Sequence, residues 1–454
     1  MHRPTLSHTR GDLTSGGITG GMLMFALPMM AGGMLQQLYN IADTVIVGRF
    51  IGADALAAVG ASYTLIVFIT SVISGLCMGS GALFSIYYGA GDYGALRRGV
   101  FVSSVLIGGV SLSLNAASLL LIDPVMSLLC VPADVYPLMR DYLWVTFWGI
   151  GFTFIYNYYA SLLRAVGNSV TPLWFLALSV VLNIALDILF IVSFGWGVTG
   201  AAAATVAAQG TAAAGLSIYT ARRFPHLMPR RKEMRLTRRV AGEIASYSSL
   251  TCLQQSVMNF GILMVQGLVN SFGTTVMAAF AVAVKIDSFA YMPVQDFGGA
   301  FSTFIAQNFG AGRVDRIRKG ISRAVAVSTM FCAVISATVL LFARDLMVIF
   351  VSPDESAIID TGVRYLRVEG AFYFGIGLLF LLYGYYRAVR MPGFSVVLTV
   401  ISLGTRVALA YALAAIPSVG VEGIWWSIPA GWLLADAVGV AYYRHIRRKH
   451  ISAR

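Results

Sequence analysis

Charge is scarce in this chain of 454 residues: Asp, Glu, Lys and Arg together make up 11% of it, against 58% hydrophobic residues. A soluble globular domain carries nearer a quarter. So few charges cannot cover a water-facing surface, and with a mean hydropathy of +0.77 the outside must be covered mostly by lipid. Histidine is scarce too. The five present fall in the terminal segments and one basic stretch, with no metal-ligand spacing. The four cysteines, Cys77, Cys130, Cys252 and Cys332, are isolated and lie in or beside apolar stretches. They have neither disulfide-framework nor zinc spacing, and are expected to be small, buried, inert thiols. No glycine loop is followed by the lysine that cradles phosphates, and no catalytic constellation appears. The sequence therefore excludes an enzyme and calls for no cofactor, and any energy source must be an ion gradient. The net charge of +12 would raise the question of nucleic acid in a soluble protein. Here the basic residues sit in short loops between apolar segments, so the expected partner is the bilayer, not nucleic acid.

What is abundant is apolar sequence in spans long enough to cross a membrane, each needing roughly 20 residues. With charges, Gly and Pro as boundaries, helices are expected at roughly 18–48, 54–88, 98–121, 138–164, 170–194, 200–222, 244–270, 274–308, 320–342, 364–388, 394–415 and 421–443. The first, from Ile18, is too long for the roughly 7–15-residue core of a signal peptide and reads as a spanning helix. The second and eighth are long enough to extend beyond the bilayer, bend or tilt. Alternate loops hold 25 of the 32 Lys and Arg residues, and most acidic loop residues fall on the other side. The positive-inside rule then places both termini in the cytoplasm of a multi-pass cell-membrane protein.

Motifs recur along the chain. Leu35-Gln36-Gln37 returns as Leu253-Gln254-Gln255, and Gly89-Ala90-Gly91 as Gly310-Ala311-Gly312. Arg164-Ala165-Val166 returns as Arg387-Ala388-Val389, and Gly197-Val198-Thr199-Gly200 as Gly420-Val421-Glu422-Gly423. The order is kept and the offset drifts only from 218 to 223. The expected fold is all-α and integral to the membrane: twelve transmembrane helices in two pseudo-symmetric six-helix lobes. Six is even, so the repeats are parallel, a design that places substrate between halves. The expected divisions are a cytoplasmic N-terminal segment 1–17, an N-lobe 18–222, a basic linker 223–243, a C-lobe 244–443 and a basic tail 444–454. The linker reads as a solvated loop attracted to anionic lipid.

Charges inside the membrane are costly and mark function by default. Gln36, Asn40 and Asp43 lie at i, i+4 and i+7 on one face of the first helix. Asn183 and Asp187 share a face of the fifth, and Asn157 lies in the fourth. Together they would form a polar pocket in the first half, where a carboxyl group could load and release a proton, or two could hold a sodium ion. The plainer alternative is that Asp43 and Asp187 tie helices together. The second half lacks this set. Asn40 and Asp43 align with Met258 and Gly261, and Asn183 and Asp187 with Arg406 and Ala410. It has its own charges in Lys285, Asp287, Asp296 and Arg406, candidates for a cavity lining or for mutual neutralisation, and Asp436, a buried anchor. Pro28 removes a backbone donor within the first helix and is expected to kink it. The abundant tyrosines are packing or interface residues, a few of which could attract organic cations.

The run Leu38-Tyr39-Asn40-Ile41-Ala42-Asp43-Thr44-Val45-Ile46-Val47-Gly48 resembles the first helix of the multidrug and toxic compound extrusion (MATE) family. Leu56-Ala57-Ala58-Val59-Gly60, Arg164-Ala165-Val166-Gly167-Asn168 with Thr171-Pro172, Leu182-Asn183-Ile184 with Asp187, and Gln307-Asn308-Phe309-Gly310 resemble further family signatures. The likeness spans the chain and is greatest to the DinF-like branch. It implies a monomeric antiporter exporting cationic, amphipathic drugs or metabolites in exchange for protons or sodium. It also implies that Asp43, Asn157, Asn183 and Asp187 are the cation-site positions and Pro28 the first-helix kink. Gln254 and Gln255 stand where another branch places an acidic residue. A lipid-linked oligosaccharide or peptidoglycan-precursor flippase of the wider superfamily is the alternative. It would need a cationic cavity, for which Arg406 and Lys285 speak and against which Asp43 and Asp187 speak.

Overall fold

The computed structural model describes residues 12–128 and 131–452. Cys130, Arg3 and Arg10 lie outside the described residues. Every regular element among those described is helical. In chain order they are α1 (Ile18–Phe50), α2 (Ala53–Gly89), α3 (Tyr93–Leu120), α4 (Ile122–Leu128), α5 (Tyr136–Trp148), α6 (Ile150–Ala165) and α7 (Val170–Asp187). Then follow α8 (Gly197–Arg223), α9 (Arg238–Asn270), α10 (Thr274–Gly310), α11 (Val314–Val348), α12 (Ser356–Gly370), α13 (Tyr373–Ala388), α14 (Pro392–Ala414) and α15 (Val421–Ser452). Among the described residues ten helices are long and apolar enough to cross a membrane, and α12 with α13, bent by 51°, make an eleventh span. The expected fourth span is likewise broken: α5 and α6 meet at Gly149, where a Cβ would lie 3.0 Å from Thr146 O and from Val206. Counted with that pair, the described residues hold twelve membrane segments, as a twelve-helix, two-lobe fold requires.

The long second and eighth segments are helices of 37 residues each. At 1.5 Å per residue these exceed the roughly 30 Å hydrocarbon core by nearly a factor of two. α1 runs unbroken through Pro28. Large apolar side chains such as Leu112, Val181 and Leu341 are exposed, as lipid contact requires.

The chain divides into two compact units. One is built on Leu27–Cys252 with Gly310–Gly312; the other on Ser15–Ala26, Leu253–Phe309 and residues 313–452. In the second unit the core is aromatic. Phe280 stacks on Trp425 at 5.5 Å, and Tyr365 meets Trp425 edge-on at 5.0 Å. The first unit packs Val47, Tyr142, Ile191 and Val198 together. Close packing between α14 and α15 depends on Gly431, where a Cβ would sit 2.3 Å from the Ser402 carbonyl.

The repeated motifs prove to be backbone devices. Gly91 and Gly312 both take left-handed φ, +71° and +68°, which lets the chain turn at once after the two longest helices. Gly167 after α6 has φ +85°, and its counterpart after α13 is Arg390 at φ +64°. Arg390 is the non-glycine residue with positive φ among those described, so the repeat keeps the turn even where it has lost the glycine. The basic loop residues also hold structure. Arg316 donates to the Gly16 and Ser15 carbonyls at 2.9 and 3.0 Å and to Asn308 Oδ1 at 3.1 Å. The basic linker is more ordered than a solvated loop. A short turn at Pro225–Leu227 buries Leu227, and Arg97 on α3 binds Glu233.

Candidate functional site

In the first unit, α1 and α7 bring Asp43 and Asp187 together. The i, i+4, i+7 spacing that the sequence offers on α1 ends at Asp43, which is 9% exposed; Asp187 is fully buried at the last residue of α7. The two carboxyl groups are in side-chain hydrogen-bond contact. With its amide nitrogen turned to Asp187, Asn183 donates to Oδ2 at 3.0 Å while its oxygen accepts from the Thr205 hydroxyl at 3.3 Å. Tyr39, one turn before Asp43, shares a hydrogen bond with the same Thr205 hydroxyl at 3.1 Å. Tyr39 and Tyr142 are within Coulombic reach of both carboxyl groups. Immediately after Asp187 the helix widens into a π-turn over Ile188–Ser193. Such turns often mark functional sites because they leave a carbonyl free of the regular ladder.

This geometry has chemical consequences. Asp43 Oδ1 and Asp187 Oδ1 are buried without a hydrogen-bond partner. Two carboxyl groups in contact in a low-dielectric interior are stable only with a proton or a metal cation between them. The surrounding ligands are neutral oxygens and an amide, which can accommodate either. Asn157 is not part of this set. Its amide donates to Thr153 O at 2.9 Å, and its oxygen accepts from Ser74 at 3.4 Å, in a network that continues through Thr153 to Gln209. Asn40 donates to Gln37 at 3.1 Å, and Gln36 is partly exposed.

The second unit holds a second carboxyl pair, only half visible in the sequence. Asp287 on α10 and Glu369 on α12 are both buried and in side-chain hydrogen-bond contact. Tyr373 donates to Asp287 Oδ1 at 2.6 Å, and Tyr365 hydrogen-bonds Glu369. Buried Arg406 on α14 lies within Coulombic reach of both acids. Glu369 escapes a reading of single residues because Arg364 and Arg367 beside it make the segment look interfacial. The signal is the spacing: Tyr365 and Glu369 are four apart and share one face of α12. Lys285, by contrast, is exposed, on the other side of α10 from buried Asp287. Asp436 on α15 is a lone buried carboxyl whose two oxygens have no hydrogen-bond partner.

The fold and site together define a multi-pass membrane transporter, not an enzyme. Its two repeats each match the MatE family model, at residues 28–189 and 250–412. The chain is 31% identical over 443 residues to the probable multidrug resistance protein YpnP of Bacillus subtilis, covering 96% of this chain and 97% of that one. It is 26% identical to a protein of Shewanella oneidensis named FAD transporter, covering 96% and 95%. Its fold matches that of a MOP superfamily transporter from Pyrococcus furiosus with a TM-score of 0.90, at 23% identity and with 97% and 98% of the two chains covered. The chain belongs to the MatE family.

Proposed function

We propose that this protein is a secondary active antiporter that exports cationic, amphipathic drugs or toxic metabolites in exchange for protons or sodium by alternating access. The observation that carries the reading is the contact of Asp43 with Asp187, framed by Asn183, Thr205 and Tyr39. A proton or sodium ion enters between the carboxyl groups and satisfies both, drawing α1 and α7 together. When it leaves, two like charges remain in a low-dielectric site, and the helices part or admit water and cargo. That difference between loaded and empty states supplies the differential binding that coupling requires. Pro28, which removes one backbone bond from α1, offers the place where that helix bends. Asn157, Gln36, Asn40, Lys285, Asp287 and Arg406 are proposed as lining for the cargo path. The chain is read as a monomer in the cell membrane with both termini cytoplasmic, on the strength of its charge asymmetry.

The flippase reading is less well supported, because Asp43 and Asp187 place two acids in contact and Arg406 lies within Coulombic reach of two more, which lowers the positive character a pyrophosphate would need. The test is extrusion of a fluorescent organic cation from proteoliposomes under an imposed proton or sodium gradient, with a flavin nucleotide as a parallel cargo. Gradient-driven loss of the cation supports the reading. Transport of the nucleotide alone would replace the cargo class.

A further inference from the structure

The stretch 222–239, which joins α8 to α9, carries eight Arg and Lys residues and one acid, Glu233. Glu233 is already engaged. Arg97 in the first turns of α3 reaches its Oε1 at 2.6 and 2.8 Å, and the Arg230 amide donates to its Oε2 at 2.9 Å. Arg97 also donates to the His226 carbonyl at 3.3 Å, and Leu227 is fully buried. The linker backbone is thus fastened at two points to the end of α3. α8 ends at Arg223 and α9 begins at Arg238, so the linker joins the ends of two spanning helices on one side of the bilayer.

That fastening leaves a surface of one sign. Arg230, Arg231, Lys232 and Arg235 are exposed, as are the arginine pairs at 222–223 and 238–239. Among the described residues, none of these eight side chains has an ion pair or hydrogen bond. Among these cations two apolar side chains are turned outward, Met234 at 45% and Leu236 at 60% exposure. Cations flanking exposed apolar groups at the membrane surface match an interface of phosphate above and acyl chain below.

We propose that the linker, held by the Arg97–Glu233 bridge, is a docking surface for anionic phospholipid, with its guanidinium groups on the headgroup phosphates and Met234 and Leu236 in the acyl boundary. Each basic residue near an anionic surface contributes about a fivefold preference, so removing four should lower lipid preference by at least tenfold.

The test uses the full chain in nanodiscs. Leu236→Cys is labelled with an environment-sensitive fluorophore in a background where Cys77, Cys130, Cys252 and Cys332 are replaced by Ala. Spin-labelled phosphatidylglycerol or phosphatidylcholine is the quencher. Quenching is expected from phosphatidylglycerol at low salt. It should fall at least tenfold in apparent affinity when Arg230, Arg231, Lys232 and Arg235 are all changed to Gln, four exposed positions that leave the fold intact. Glu233→Gln raises the linker's positive charge but frees it from Arg97, and should weaken quenching. Equal quenching by the two lipids, an unchanged fourfold variant, stronger quenching in Glu233→Gln, or preference for an oligonucleotide over phosphatidylglycerol vesicles would each overturn the proposal.

Discussion

The residues that matter most are carboxyl groups where lipid surrounds the protein. Asp43 and Asp187 stand out in the sequence because each is a charge within an apolar run, and the structure puts them in contact. Glu369 does not stand out, because it closes a segment that also carries Arg364 and Arg367, yet it is buried in side-chain hydrogen-bond contact with Asp287. Thr205 and Tyr39 were likewise invisible: a hydroxyl in an apolar helix gives no sign of its partner until the helices are packed. At this scale Tyr373→Phe should destabilise the protein by about 1–3 kcal/mol, since it removes the donor at 2.6 Å from buried Asp287. Thermal melting of the purified variant would measure this. Arg390 offers a backbone test. Its left-handed φ of +64° is strained for a β-branched residue, so Arg390→Val should cost about 1–2 kcal/mol, seen as a lower melting temperature.

At the scale of elements, hydropathy and loop charge place the spans well, but not their interruptions. The break at Gly149 lies inside an apolar run with no charge or proline to announce it, and Arg367 and Glu369 just before the 51° bend between α12 and α13 do not by themselves mark a bend. The π-turn after Asp187 is equally silent, because Ile188–Ser193 reads as ordinary helix. Between α14 and α15 the approach is set by Gly431. Gly431→Leu should force the helices apart and cost at least the roughly 1–3 kcal/mol of an overpacked core, seen as a lower melting temperature. Outside the membrane, α4 is tied to α5 by Asp123. Hydrogen bonds from Arg140 and Tyr136, at 2.8 and 2.9 Å, hold its carboxyl below the usual carboxylate range. A lowered carboxyl stabilises the folded form above its unfolded value near 4, and this is lost as pH falls through the folded value. Protection factors for hydrogen exchange in α4 and the first turn of α5 should therefore fall on acidification below pH about 4, and Asp123→Asn should remove that dependence.

For the whole molecule, the repeat was the most legible feature, and the structure gives its motifs a reason. Gly91 and Gly312, and Gly197 and Gly420, sit where both halves make the same left-handed turns, so the backbone geometry recurs while the polar interior differs. The aligned positions differ: Asn183 and Asp187 in the first repeat, Arg406 and Ala410 in the second. Yet each unit encloses a carboxyl pair, built in the second from α10 and α12 instead. An alignment of the halves shows the loss of Asp187 at Ala410 but cannot show its replacement from another helix. The two units differ in the groups around the acids: amide and hydroxyl groups in the first, and Arg406 within Coulombic reach in the second.

The central claim is that the Asp43–Asp187 pair couples export to an ion gradient. Its most direct measurement is gradient-driven extrusion of a fluorescent organic cation by proteoliposomes containing Asp43→Asn, beside equilibrium binding of the same cation. Extrusion should fall by at least tenfold while binding persists, because the amide keeps the shape of the site but cannot exchange a proton or hold sodium. Extrusion at the wild-type rate, with the same response to the imposed gradient, would contradict the account.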